Sequence, residues 1–156
     1  MKKTYSMISI VLLSAFLYQH GYNIKWPWLL TMQKDYLYKQ LTGLLMLLFI
    51  LNQWHLSRLR IKNKMAEAYV ELNRHRILGV MAPVLFYFHS DNLGYNYLFL
   101  LSTLYLANFT MGFLHPSVFG INNRGVNSFW IVSHVSMSGF LMLLLSQHIF
   151  ISYWYE

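Results

Sequence analysis

Residues 127–154 read NSFWIVSHVSMSGFLMLLLSQHIFISYW. No Asp, Glu, Lys or Arg interrupts them. About 20 apolar residues at 1.5 Å each cross the ~30 Å hydrocarbon core of a bilayer, and this stretch is longer than that. A segment apolar on nearly every face has no side to offer water, so it reads as a helix in lipid. The two residues that break its character, His134 and His148, are the ones a functional reading must explain.

Four further apolar segments lie upstream. They run over about Tyr5–His20, Leu41–Leu56, His75–Leu93 and Tyr95–Leu114. The expected fold is therefore all-α: one integral membrane bundle of about five transmembrane helices over residues 1–156. Composition agrees, with 56% hydrophobic and 11% charged residues. A water-soluble domain of this size carries far more charge.

Lys and Arg set the orientation. With the N-terminus inside, Lys2, Lys3, Arg58, Arg60, Lys62, Lys64, Arg74, Arg76 and Arg124 fall on the inner side. Only Lys25, Lys34 and Lys39 fall outside, which is a positive-inside pattern and puts the C-terminus outside. Tyr18, Tyr22, Trp26, Trp28 and Trp54 are expected interfacial anchors. Met1-Lys2-Lys3 before an apolar run resembles a secretory signal, but no small-x-small cleavage site follows, so residues 1–37 are expected to be a retained signal anchor and outer loop. The expected location is a bacterial inner membrane.

The net charge of +7 is a loop property and not a nucleic-acid footprint, because no module interleaves basic and aromatic residues on one face. The polar stretch from Arg58 to Arg76, with Glu67 and Glu71 one turn apart, has some helical character. It reads first as a solvated connector that obeys the positive-inside rule; a docking surface for a redox partner, or counter-charge for haem propionates, is compatible with that. The absence of cysteine excludes disulfides, thiolate metal sites and covalent c-type haem attachment. Seven histidines then make imidazole the obvious metal donor.

Their spacing is organised. His75 and His89 are fourteen residues apart, as are His134 and His148. On an unbroken helix fourteen residues are nearly four turns and about 21 Å, so each pair would share one face with one ring near each leaflet. The third and fifth helices should run in the same direction. Facing one another, they would offer two stacked bis-imidazole sites: His75 with His134 on the inner side, His89 with His148 on the outer. Such donors suit two b-type haems that carry electrons, since both axial positions are filled. The ordinary reading of a lone membrane histidine is an interhelical hydrogen bond, and His20, His55 and His115 are read that way.

Further residues carry a resemblance. Thr42-Gly43-Leu44 opens the second helix, Arg74-His75-Arg76-Ile77-Leu78-Gly79 leads into the third, and Trp130 stands four residues before His134. With the four histidines, these motifs resemble the ferric-reductase-like transmembrane domain of ferric reductases, NADPH oxidases and the haem-binding membrane subunit of a bacterial methionine sulfoxide reductase system. The likeness covers about residues 38–150. It implies a di-haem b-type core that passes electrons outward from a cytoplasmic flavin, with two haem b as cofactors. Arg74, Arg76 and Arg124 are expected beside the inner propionates, and Lys25, Trp26 and Trp28 over the outer haem. The oxidases and ferric reductases add a FAD- and NADPH-binding domain after the last helix. No glycine-rich phosphate loop occurs here, so the expected donor is a separate flavoprotein or a quinol.

A cytochrome b of the quinol-oxidising kind has similar paired-histidine spacing and is the second resemblance. A haem-free assembly subunit of a larger membrane complex is the alternative from another class. A transporter fits least, because Asp35, Asp91 and Glu156 lie at the outer edge and Glu67 and Glu71 in the inner loop, leaving no carboxylate at mid-depth.

Overall fold

The computed structural model describes residues 3–90 and 92–154. Expectations for Lys2, Asp91 and Glu156 fall outside them. Among the described residues the chain is all-helical, with α1 Lys3–Gly21, α2 Pro27–Lys34, α3 Tyr36–Gln53, α4 His55–Ile61, α5 Met65–Gly79, α6 Ala82–His89, α7 Tyr97–Phe113 and α8 Arg124–Trp154, plus a short 3₁₀ turn, Pro116–Phe119, and no strand. The chain divides into two compact units, Met7–Asp91 and Met1–Ser6 with Asn92–Glu156.

In the first unit α3 is the central element. Asp35 caps its N-terminus by accepting from Tyr38 N at 2.8 Å, which satisfies one of the amides a helix start leaves unbonded. α2 begins with Pro27 at its first turn, where the missing N–H costs nothing. α2 and α6 pack on α3, while α4 and α5 form a hairpin. That hairpin turns at Asn63, whose φ of 54° is a left-handed conformation asparagine tolerates. Its small core is Leu56, Leu59 and Ala68, with Leu72 against them.

The third apolar segment does not form one helix from His75 to Leu93. α5 starts ten residues earlier in sequence, at Met65, and ends at Gly79; α6 runs only from Ala82 to His89. Pro83 explains the break. It has no N–H to give the Gly79 carbonyl, and its ring crowds that carbonyl, so the intervening turn tightens to a Met81 N to Leu78 O bond of 2.9 Å. Pro83 is fully buried. His75 and His89 are therefore not related by four regular turns.

In the second unit α7 and α8 pack antiparallel, joined through the 3₁₀ turn. α8 is uninterrupted over 31 residues. Among the described residues it alone is long and apolar enough to cross a membrane unaided, while α7 is apolar but has 17 residues.

Large apolar side chains are exposed along α3 and α8 as well as buried in the core. On α3, Leu41, Leu44, Leu45 and Leu48 recur at helical spacing and are each more than half exposed. On α8, Phe129, Val132, Phe140 and Leu143 are exposed and Leu141 is buried. The buried positions include Ser6, Ser9, Gln33 and Ser102. Ser6 Oγ donates to Phe113 O at 3.4 Å.

Candidate functional site

The C-terminal end of α6 is where the first unit concentrates its polar contacts. A helix end leaves carbonyls without intrahelical donors. Here Gln33 Nε2 donates to Tyr87 O at 2.8 Å and Phe88 O at 3.3 Å, and Tyr38 Oη donates to Phe88 O at 3.1 Å. Gln19 adds a bond to the Tyr87 hydroxyl. These donors come from three other helices and fix the register of the residue that follows, His89.

The His89 ring lies on α3 at Thr42-Gly43. Its Nδ1 is 3.0 Å from Thr42 Oγ1. The Thr42 hydroxyl has one proton, and Tyr38 O at 2.8 Å is one acceptor for it, through the usual i−4 bond of a helical threonine. With the proton directed to Tyr38 O the oxygen accepts from His89 Nδ1, leaving the lone pair on Nε2; with the proton turned to His89 the two roles reverse. Gly43 makes the close approach possible. A Cβ there would stand 3.2 Å from His89 Cε1.

His75 is half-buried on α5 and hydrogen-bonds the backbone of Gln53, the last residue of α3. Arg60, Glu71 and Arg76 are its charged neighbours. Arg74 is mostly exposed and 3.9 Å from Glu71. Both histidines of this unit thus lie along α3, His75 at Gln53 and His89 at Thr42-Gly43. Ten to eleven residues of helix separate those points, or about 16 Å at 1.5 Å per residue, shorter than the ~21 Å an unbroken helix would give.

In the second unit the expected spacing holds, because nothing interrupts α8. His134 lies beside Gly112, where a Cβ would be 3.6 Å from His134 Cε1, and the His148 ring centroid is 6.4 Å from that of Tyr97. Those α7 positions are fifteen residues apart, about 22 Å along its axis. Trp130, one turn before His134, stacks on its ring with centroids 5.2 Å apart and planes 15° from parallel. Trp130 Nε1 donates to Met111 O at 2.9 Å, which locks the indole in place. His115 meets the same indole edge-on at 4.5 Å and pairs with Ser117. A second interhelical contact, Asn108 Nδ2 to Ser138 Oγ at 3.0 Å, lies one turn further along α8, and Ser138 Oγ in turn donates to His134 O at 2.9 Å.

The structure thus pairs His75 with His89 along α3 in one unit and His134 with His148 along α7 in the other. His20 stacks on Phe16 and His55 is exposed at the start of α4. Sequence reasoning noted Thr42, Gly43 and Trp130 only through resemblance and gave His115 no connection to His134. Gln33 and Tyr38 carried no signal, since their partners are more than 49 residues away in sequence.

Among the described residues no three of His, Cys, Asp or Glu gather to hold a bare metal ion. A haem brings four donors in its own porphyrin and asks the chain for two more; within a unit the paired histidines lie about 16 Å apart along α3 and about 22 Å apart along α7, so neither unit alone brings two imidazoles to one iron.

No family model, curated protein or solved structure matches this chain.

Proposed function

We propose that the chain is the membrane-embedded subunit of an electron-transfer system, a di-haem b-type cytochrome of the ferric-reductase-like kind in a bacterial cytoplasmic membrane. Its five spans are α1, α3, the kinked segment that runs from the end of α5, near His75, through α6, and then α7 and α8. The exposed leucines of α3 and the uncovered aromatic face of α8 support this reading, since apolar surface on that scale needs lipid or a partner to cover it. Small and polar residues at buried positions, Ser6, Ser9 and Ser102, are the side chains through which membrane helices approach closely.

The observation that carries the proposal is the Thr42–His89 bond. It orients the ring and allows the tautomer that ligation through Nε2 needs, and Gly43 opposite keeps room for that orientation. His75 and His134 are assigned to the inner haem iron, His89 and His148 to the outer. Arg76, beside His75, is placed to balance an inner propionate, with Arg74 a turn from Glu71 at the more exposed edge. When bound, haem supplies one-electron redox chemistry. The chain's own work is to hold four imidazoles, to exclude water from them and to set their orientation through Thr42 and Trp130. Donor and acceptor are then separate: a flavoprotein or quinol on the inner side, and ferric iron, oxygen or a partner protein outside.

The test is a reduced-minus-oxidised spectrum of the purified protein with haem quantified per chain. Two low-spin b haems are expected, with the outer lost in His89→Ala and the inner in His134→Ala. A preparation that carries no porphyrin under haem-replete expression overturns the assignment. One observation favours a second reading: the Thr42–His89 bond is itself an interhelical tie, as a haem-free assembly subunit would need. Under that reading His89→Ala lowers assembly and leaves the spectrum unchanged.

A further inference from the structure

The α4–α5 hairpin is not explained by electron transfer. Around α5, Ala68 and Leu72 face the hairpin core with Leu56 and Leu59. Glu67, Glu71 and Arg74 form a charged face, in which Lys64 pairs with Glu67 at 2.9 Å and Arg74 approaches Glu71 at 3.9 Å. A third face carries Met65, Tyr69 and Val70 over the first two turns, with Asn73, Arg76 and Ile77 further along it. The first three are 67%, 79% and 73% exposed. Ile61, at the end of α4, is 79% exposed.

This patch does not belong in hydrocarbon, because Arg58–Arg76 holds six basic and two acidic residues. Nor is it only a solvated connector, because three large apolar side chains at the start of α5 stand mostly exposed. Each acid has a basic neighbour within the hairpin, so the excess charge is positive and falls on Arg58, Arg60, Lys62 and Arg76. An exposed apolar patch on a segment with excess positive charge, on the inner side of a membrane protein, matches the chemistry of an anionic lipid surface.

We infer that the α4–α5 hairpin docks on the anionic headgroups of the inner leaflet, with Met65, Tyr69 and Val70 at the headgroup–acyl boundary. The inference rests on the membrane reading above and is independent of haem. It replaces docking of a redox partner as the role of this segment.

The chain has no cysteine, so Tyr69→Cys creates a unique thiol for an environment-sensitive fluorophore. The full-length protein is placed in nanodiscs of phosphatidylcholine with or without phosphatidylglycerol. With phosphatidylglycerol the label emits to the blue and is quenched by nitroxide-bearing lipid. The effect weakens without it and is lost in about 1 M salt, where the screening length falls to about 3 Å. It is also lost in the triple variant Arg58→Gln, Arg60→Gln, Lys62→Gln. A label at Glu67→Cys stays in water throughout, and Val70→Cys gives a second position should Tyr69→Cys fail to fold. Emission indifferent to phosphatidylglycerol overturns the inference. So does a label shielded in detergent without lipid, which would mean a protein occupies the patch. A chain that does not enter the discs overturns both this inference and the membrane reading, whereas a chain that enters them with a wetted label overturns only the inference.

Discussion

Gly43→Ala tests the contact on which the site depends. Two effects oppose one another. Within a helix, alanine is favoured over glycine by about 0.5–1 kcal/mol because it loses less backbone entropy. Against that, the new methyl would stand 3.2 Å from His89 Cε1, closer than carbon atoms pack comfortably. Overpacking of a well-filled site costs about 1–3 kcal/mol. His89 has little room to yield, because Thr42 holds its Nδ1 and the backbone of α6 just before it is bonded to Gln33 and Tyr38. The net expectation is destabilisation by about 0.5–2 kcal/mol. Gly139→Ala is the control. It lies inside α8 with nothing within 4 Å of the added carbon, so only the helical preference acts, and stability should rise by up to about 1 kcal/mol. Gly112→Ala, at 3.6 Å from His134 Cε1, is an ordinary contact and should be tolerated. Thermal unfolding in one detergent, followed by tryptophan fluorescence, ranks the three, and haem per chain measured alongside should fall for Gly43→Ala alone. If Gly43→Ala is as stable as Gly139→Ala, the His89 ring does not lie on α3 and the reasoning fails.

Thr42→Val keeps the shape of the side chain but removes the hydrogen-bond partner of His89 Nδ1. It should cost about 0.5–1.5 kcal/mol and broaden the outer-haem absorption band, while Thr42→Ser retains both; unfolding and low-temperature spectra check this. In the second unit, Ser138→Ala leaves Asn108 without its partner and should destabilise by about 1 kcal/mol, whereas Asn108→Leu removes the buried polar group along with the bond and should cost less. A double-mutant cycle on the pair measures the coupling. Trp130→Phe keeps a ring against His134 but loses the bond to Met111 O, so the inner-haem potential should shift by less than in Trp130→Leu, as redox titration of each variant would report.

The sequence made the helical class plain, and for α1, α7 and α8 it came within a few residues of the ends, because each is an apolar run bounded by polar residues or turns. It failed where hydropathy is blind to backbone geometry. Pro83 sits in an apolar stretch and leaves the hydropathy reading untouched, yet it splits the third segment and shortens the distance between His75 and His89. The fourteen-residue rule survives on α8 only because no proline intervenes between His134 and His148. α2 was passed over although Pro27 after Trp26 is a recognisable helix start. The helical character of the stretch after Met65 is visible in its apolar residues, but not that it runs unbroken past Arg76 to Gly79 as α5. The contacts of His89 with Thr42, and of His115 with Trp130, join residues on different helices and have no local periodicity to betray them.

If lipid surrounds the chain as proposed, its exposed leucines and buried serines have a consequence for substitution. In a saturation scan, Leu41, Leu44, Leu45 and Leu48 should exchange freely among bulky hydrocarbons and reject charge. Ser6, Ser9 and Ser102 should accept glycine or alanine and refuse anything larger. The map of tolerance would then be set by volume at the serines and by polarity at the leucines, the opposite of what a water-soluble bundle shows.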